Sequence, residues 1–215
     1  KILIVGDVML DKYYFGKVDR ISPEAPVPIV NIQKEESRLG GASNVANNIV
    51  SLGGHSLLCG VIGHDLFGKE IERISRHKNI DTFLLKTSSP TITKARIIGG
   101  KQQIVRVDYE DKSELNADNK KLFRDTISRI LPEYDILVIS DYGKGLISED
   151  LCRYLIKLAH KYDKKVIIDP KGKNWEKYSH IFWIFFGIIS LKITIPICSL
   201  LWEITVALSM QNHTS

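Results

Sequence analysis

Ile2-Leu3-Ile4-Val5-Gly6-Asp7 is an uninterrupted apolar run that stops at a glycine and a carboxylate. A strand buried on both faces reads this way, because helices covering a parallel sheet leave it no polar side. The Gly-Asp step marks the carboxyl end of the strand, where the chain enters a loop. Residues 57–62, 135–140 and 165–169 repeat the pattern further along. Helical spacings lie between them. Residues 42–52 carry Val45, Ile49 and Leu52 and end at Gly53-Gly54. Asp65 is placed to cap a helix through Lys78 with Ile71 and Ile74 on its inner side. Asn116 is placed to cap one through Leu131 with Leu122, Ile127 and Ile130 inward, and residues 148–162 form a fourth. Caps and periodicity together set these helices. Alternating β and α elements predict an α/β fold with a doubly wound, mostly parallel sheet.

Two regions depart from that rhythm. Residues 13–18 and 27–33 are short, β-rich and broken by Pro23, Pro26 and Pro28. Proline lacks the ladder N–H, so these read as edge strands of a flap. Residues 91–98 and 103–109, joined by Gly99-Gly100-Lys101, read as a hairpin. Together they predict a small β lid covering about residues 12–38 and 90–110.

At 215 residues the chain fits one α/β domain, and its 26% charged residues are ordinary for a globular protein. The formal charge of +5 is spread along the sequence rather than clustered, which argues against nucleic acid and suits a small anionic substrate. Cys59, Cys152 and Cys198 form no CxxC pair, and the six histidines show no metal-ligand spacing. These observations predict a cytoplasmic protein with reduced thiols and no metal ligands. Lys1-Ile2-Leu3-Ile4-Val5 is too short to read as a signal pattern and enters a turn at Gly6. The chain opens on Lys1 rather than Met, which reads as a few leading residues missing.

In open α/β sheets ligands sit at the carboxyl ends of the strands. Three strands here end in Gly6-Asp7, Ser140-Asp141 and Asp169-Pro170-Lys171-Gly172. Gly40-Gly41-Ala42-Ser43-Asn44 opens a helix, and glycines there let backbone N–H groups approach a ligand. Gly-Gly before a helix is by itself a turn as readily as a site. Four such signals on one edge of one sheet point to a site. Gly63-His64-Asp65-Leu66-Phe67-Gly68-Lys69-Glu70 approaches a phosphate-binding P-loop, but Glu70 stands where a Ser or Thr hydroxyl must hold Mg²⁺. The stretch therefore reads as a turn with Asp65 as helix cap.

These motifs resemble those of the ribokinase-like, PfkB-type sugar kinases, and within them the D-glycero-D-manno-heptose 7-phosphate kinases. The stretches are Val5-Gly6-Asp7-Val8-Met9-Leu10-Asp11, Arg20-Ile21-Ser22-Pro23-Glu24-Ala25-Pro26-Val27-Pro28 and Leu39-Gly40-Gly41-Ala42-Ser43-Asn44. Pro90-Thr91-Ile92-Thr93-Lys94, Gln102-Gln103-Ile104-Val105-Arg106, Ser140-Asp141-Tyr142-Gly143-Lys144-Gly145 and Asp169-Pro170-Lys171-Gly172 continue them in order. The Arg-Ile-Ser-Pro-Glu-Ala-Pro-Val-Pro and Gln-Gln-Ile-Val-Arg runs are the most particular to the heptose kinases.

The resemblance implies that ATP, with Mg²⁺, phosphorylates the anomeric hydroxyl of a heptose 7-phosphate on the way to ADP-heptose and lipopolysaccharide core. It implies that Asp11, Gly40, Gly41 and Asn44 contact the sugar. Asp141, Asp169 and Lys171 then lie toward the phosphate-transfer region, with Lys171 neutralising phosphate charge. Arg106 and Lys144 are candidates for the sugar's 7-phosphate. It also implies closure by the lid and a homodimer formed through it.

The resemblance covers residues 1–180, read as the N-terminal part of the kinase domain. The family pattern continues with Thr-Pro-Asn, an Asn-x-x-Glu segment and a Gly-Ala-Gly-Asp carrying the catalytic base, and none of these occurs here. No residue of this chain is therefore assigned as the base, and the polypeptide is expected to be inactive or very weak. Residues 181–215 hold only Lys192 and Glu203 as charges. Three readings of them stand: an out-of-frame run, which the abrupt loss of pattern favours; a membrane segment, against which the two charges and Pro196 argue; and a terminal strand and helix. Two rival functions are a non-catalytic sugar-phosphate-binding module and another sugar kinase of the same fold.

Overall fold

The computed structural model describes residues 1–111, 113–170 and 176–178. In chain order the elements are β1 (Ile2–Gly6), β2 (Val8–Ile21), β3 (Pro28–Gly41), α1 (Ala42–Ser51), β4 (Ser56–Gly63), α2 (Leu66–His77) and β5 (Asp81–Thr87). They continue with β6 (Thr93–Gly99), β7 (Gln102–Tyr109), α3 (Ala117–Ile130), β8 (Ile136–Ser140), α4 (Glu149–Lys161) and β9 (Lys165–Asp169). Short 3₁₀ turns follow at Leu131–Glu133 and Glu176–Tyr178.

The apolar runs form a five-stranded sheet in the order β5-β4-β1-β8-β9, parallel throughout. β1 lies at its centre, which is why no residue from Leu3 to Val5 is polar. Its side chains alternate between two cores. Leu3 and Val5 join Phe123 and Ile127 of α3 and Leu151, Leu155 and Ile156 of α4. Ile4 joins Ala42 and Ala46 of α1 and Ile71 and Ile74 of α2 on the other side. The two helix pairs thus cover opposite faces, the doubly wound arrangement that the alternation predicts.

A second sheet, ordered β3-β2-β6-β7, forms the lid. β2 pairs antiparallel with β3 and parallel with β6, and β6 pairs antiparallel with β7. Pro28 is the first residue of edge strand β3, where a missing N–H costs no ladder bond. β2 and β3 are 14 residues each, far longer than the short segments expected around the prolines. The reason is that β2 begins at Val8, one residue beyond β1. Its first residues Val8, Met9 and Leu10 are buried against the main domain, and the strand only then runs out into the lid.

Two further expectations need correction. β5 was not anticipated, because this edge strand carries an apolar run of only three residues, Phe83-Leu84-Leu85, between polar ones. On α3 the inward residue is Phe123, fully buried, and not Leu122, which is 48% exposed. The caps read at Asp65 and Asn116 are present, and Ser148 adds a third. Asp65, Asn116 and Ser148 accept from the backbone N–H groups of Gly68, Asn119 and Leu151 at 2.7, 2.8 and 3.2 Å. The P-loop-like stretch is accordingly the β4–α2 turn. Lys171 and residues 181–215, with their three readings, lie outside the described residues. Among the described residues no helix is long and apolar enough to cross a membrane.

Candidate functional site

β1, β8 and β9 are neighbours, so Asp7, Asp141 and Asp169 stand side by side at their carboxyl ends. The chain itself ties this row together. Asp7 N–H donates to the Ser140 carbonyl at 3.0 Å and Asp141 N–H to the Asp169 carbonyl at 2.9 Å. Asp7 and Asp141 are almost wholly buried, at 1% and 2% exposure. Buried carboxylates must be matched by donors. Asp7 Oδ2 accepts from the N–H groups of Tyr142 and Lys144 at 2.8 and 3.0 Å. Its Oδ1 is buried without a hydrogen-bond partner among the described residues. Asp141 accepts from Gly143 N–H at 2.8 Å, from the Tyr178 hydroxyl at 2.6 Å and from the Lys177 ammonium.

Burial pushes the Asp7 carboxyl above its usual range, the N–H groups of Lys144 and Tyr142 pull it back, and the Asp141 charge adds to the rise. Burial likewise raises Asp169, against the lowering effect of the Tyr142 hydroxyl, which donates to Asp169 Oδ2 at 3.3 Å. The Tyr142 phenol is itself pushed well up, first by burial and then by the charges of Asp169, Asp11 and Asp7. Tyr142 thus bridges two strand ends, with its N–H on Asp7 and its hydroxyl on Asp169. Beside this row a cavity of about 200 Å³ is lined by Asp7, Thr87, Ser89, Asn116 and Lys144 among others.

Asp11 sits on the lid strand β2. Cross-strand pairing fixes its neighbours, because paired residues share a face. Asp11 lies opposite Arg38 and Lys94, and Tyr13 opposite Glu36 and Arg96. Arg96 lies in turn opposite Arg106, and Lys94 opposite Asp108. Arg96 Nη1 donates to Asp11 Oδ1 at 2.6 Å. The guanidinium groups of Arg96 and Arg38 lie 5.2 and 4.8 Å from the Tyr13 ring centre.

Gly40 shares this face, and a Cβ on it would stand 2.6 Å from Asp11 Oδ2. Gly41, at φ +54, would bring a Cβ to 2.4 Å from the Asp7 carbonyl. The double glycine therefore exists to let β3 pass close to Asp11 and Asp7. The first-turn amide expected to meet a ligand is occupied, since Ala42 N–H donates to the Asp7 carbonyl at 2.9 Å. Asn44, in the first turn of α1, is half-buried, and its carboxamide has no hydrogen-bond partner among the described residues.

The structure thus gathers Asp11, Gly40, Gly41 and Asn44 at one end of α1 and β2, and Asp141 and Asp169 at the neighbouring strand ends. Arg106 and Lys144 are placed differently from a pair of open phosphate ligands. Arg106 donates through Nε and Nη2 to Asp108 at 2.8 and 3.0 Å, and Lys144 pairs with Glu110. Asp7 was marked by sequence only as a strand-end carboxylate, and Tyr142 and Arg96 were not picked out. Arg96 had no signal, because its closeness to Asp11 depends on the pairing of β2 with β6. Tyr142 had none, since a loop residue's neighbours follow only from the fold.

The sequence pattern of the pfkB family carbohydrate kinases matches residues 1–187. The chain belongs to the pfkB family of carbohydrate kinases. Its match runs slightly beyond the boundary at residue 180 read from the motifs. The chain is 48% identical over 182 residues to the bifunctional protein HldE of Helicobacter pylori strain P12, covering 84% of this chain and 40% of that protein. It is 45% identical over 179 residues to the D-beta-D-heptose 7-phosphate kinase of Bordetella bronchiseptica, covering 83% of this chain and 56% of that kinase. It therefore spans only part of the length of these relatives. The fold of this pfkB chain is shared with Escherichia coli phosphofructokinase-2, at a TM-score of 0.63 and 20% identity over 86% of this chain and 60% of the other.

Proposed function

We propose that residues 1–180 form the sugar-binding N-terminal part of an ATP-dependent kinase domain. Its substrate is D-glycero-D-manno-heptose 7-phosphate, phosphorylated in the cytoplasm at the anomeric hydroxyl for ADP-heptose and lipopolysaccharide core synthesis. The observation that carries the reading is the 45% identity over 179 residues to a D-beta-D-heptose 7-phosphate kinase. Asp11 and Asn44 receive the sugar hydroxyls. A carboxylate accepts from two hydroxyls, and a carboxamide both donates and accepts, which suits a polyol. Segments 12–38 and 90–110 close over the sugar and exclude water.

ATP with Mg²⁺ is the donor that goes with this family. Among the described residues no group of three or more His, Cys, Asp or Glu is arranged to hold a metal ion. Asp141 and Asp169 are engaged by Lys177, Tyr178 and Tyr142. Neither the metal nor the nucleotide is therefore placed on these two carboxylates. The sequence contains no Gly-x-Gly-Asp, so the 215-residue polypeptide binds sugar phosphate without transferring phosphate at an enzyme's rate.

The same reading pairs two lids in a homodimer. The exposed apolar side chains Val105, Val107 and Tyr109 of lid edge strand β7 support it, and light scattering after size exclusion tests it.

The test of function is calorimetric titration of the polypeptide with heptose 7-phosphate, fructose 6-phosphate and ribose, beside an assay for ADP release. Heptose 7-phosphate binds tightest if the reading holds. Tighter binding of either other sugar favours a different sugar kinase of this fold, and ADP release well above background overturns the assignment of a binding half.

A further inference from the structure

We infer that Lys144 and Glu110 are positioning residues for sugar binding, and that their ion pair holds the β6–β7 half of the lid in place over the strand ends. Neither side chain touches the sugar in this role. The inference rests on the sugar-phosphate reading above and goes past it by naming the contact that sets where the lid stands. It also gives Lys144 a different task from the phosphate contact expected from sequence.

Lys144 is rooted firmly in the main domain. Three successive N–H groups of its loop are taken by two buried carboxylates. Tyr142 and Lys144 donate to Asp7 Oδ2 at 2.8 and 3.0 Å, and Gly143 donates to Asp141 Oδ1 at 2.8 Å. A backbone held at three consecutive amides cannot slide, so the Lys144 side chain starts from a fixed point. Its ammonium meets the carboxylate of Glu110, the first residue after β7. The Lys144 side chain is only 8% exposed and that of Glu110 22%. Parting so enclosed a pair leaves two charges poorly hydrated, and it resists opening far more than a surface ion pair does.

The connections from β5 to β6 and from β7 to α3 both line the cavity of about 200 Å³. Ser88, Ser89 and Ile92 reach it from one, and Asp111, Leu115 and Asn116 from the other. Apolar packing between the two connections is therefore incomplete, and polar contacts hold them. The Ser89 hydroxyl donates to Asp111 Oδ2 at 3.0 Å and joins the connections to each other. Asp65 grips Thr91 from the β4–α2 turn. Lys144 and Glu110 supply the tie to the carboxyl ends of β1 and β8. The ligand face depends on that tie. β6 carries Arg96, whose Nη1 donates to Asp11 Oδ1 at 2.6 Å. A lid half that lifts thus pulls on the carboxylate that receives the sugar hydroxyls.

The experiment compares the full polypeptide with Lys144→Met, Glu110→Gln, the double variant of these two, and the reversed pair Lys144→Glu with Glu110→Lys. Each is titrated with D-glycero-D-manno-heptose 7-phosphate and with the unphosphorylated heptose. Circular dichroism checks folding, and hydrogen exchange follows the amides of β6 and β7. Each single change weakens both sugars by a similar factor, about 10- to 100-fold, the size of a lost charge-assisted contact, and speeds exchange in the lid. The double variant, which leaves no buried charge unpaired, shows the same loss and serves as the test if a single one does not fold. The reversed pair recovers part of the affinity and of the protection. A loss in Lys144→Met confined to the phosphorylated sugar, with Glu110→Gln binding it as wild type does or tighter, overturns the inference. Unchanged lid exchange in the variants overturns it as well. Wild type showing no selective binding of the 7-phosphate would instead overturn the functional reading, while the exchange data still judge the tie.

Discussion

The Asp65 carboxylate grips Thr91 twice, accepting from its backbone N–H and from its hydroxyl at 2.7 Å each. The same carboxylate caps α2 through Gly68 N–H, and the Thr91 hydroxyl oxygen accepts from Gly63 N–H at 2.8 Å. One side chain therefore joins the end of β4, the start of α2 and the segment that leads into lid strand β6. Removing it takes away a cap and leaves buried donors of Thr91 and Gly68 unmatched. Asp65→Ala is expected to lower stability by about 2–4 kcal/mol, a lost cap together with unsatisfied donors. Urea unfolding checks this, and a loss below about 0.5 kcal/mol, the size of an ordinary surface change, contradicts it.

The acid side of the stability curve carries the same bond. Burial raises the Asp65 carboxyl, but its hydrogen bonds to Thr91 and Gly68 outweigh this and hold it below the ordinary value. A carboxyl depressed by folding contributes stability above its unfolded pKa, and that contribution is lost as pH falls through the folded value. Wild type should therefore lose stability on acidification below about pH 4, the unfolded range for Asp. Asp65→Asn should lose less over the same interval.

Asp7 has the opposite sign. Its carboxyl is raised, first by burial, so the folded state holds the proton more tightly than the unfolded chain. Stability then declines as pH rises from about 4 through the folded value. Asp7→Asn keeps an acceptor for the N–H groups of Tyr142 and Lys144 and removes the titration. The stability difference between variant and wild type should shift in the variant's favour between pH 4 and pH 7. An unchanged difference across that range would show that Asp7 titrates normally.

The two glycines before α1 should fail in different ways. In Gly40→Ala the new Cβ meets the tip of the Asp11 side chain, which can swing aside. Sugar-phosphate affinity should drop by about tenfold, one displaced hydrogen-bonding group, with little change in melting. In Gly41→Ala the Cβ meets the Asp7 backbone carbonyl at a positive φ, and neither can move without disturbing β1 and β2. Stability should fall by at least about 2 kcal/mol, the scale of stored backbone strain. Thermal melting and calorimetric titration of both variants separate the two outcomes.

On α3, Phe123→Ala should cost about 3–5 kcal/mol, as for a filled aromatic core site. Phe123 is fully buried, with its ring centre 5.8 Å from that of Phe83. Leu122→Ala, at a position 48% exposed, should change stability by less than about 0.5 kcal/mol. Denaturant midpoints of the pair test the helix register directly.

That register marks a boundary between what one dimension holds and what three decide. The apolar runs around Leu3, Leu58, Leu137 and Val166 determined that a parallel sheet exists and where its strands end, because a strand covered on both faces admits no polar side chain. Asp65 and Asn116 announced their helices, because capping is local chemistry. Gly40 and Gly41 were visible as special positions, and Asp7, Asp141 and Asp169 as carboxylates at strand ends, while Asp11 was marked only by resemblance.

The helical period, taken from Ile127 and Ile130, already favours Phe123 over Leu122 on the inner side of α3, and the packing of Phe123 beside Leu3, Val5 and Ile127 agrees with it. The packing decided the rest. β5 was hidden because an edge strand need not be apolar. The reason for the double glycine, the engagement of Arg106 by Asp108 and of Lys144 by Glu110, and the closeness of Arg96 to Asp11 all depend on strand pairing. Arg96 and Asp11 are 85 residues apart in sequence and 2.6 Å apart in space. No local rule links them, because the β2–β6 ladder that joins them forms only when the lid folds.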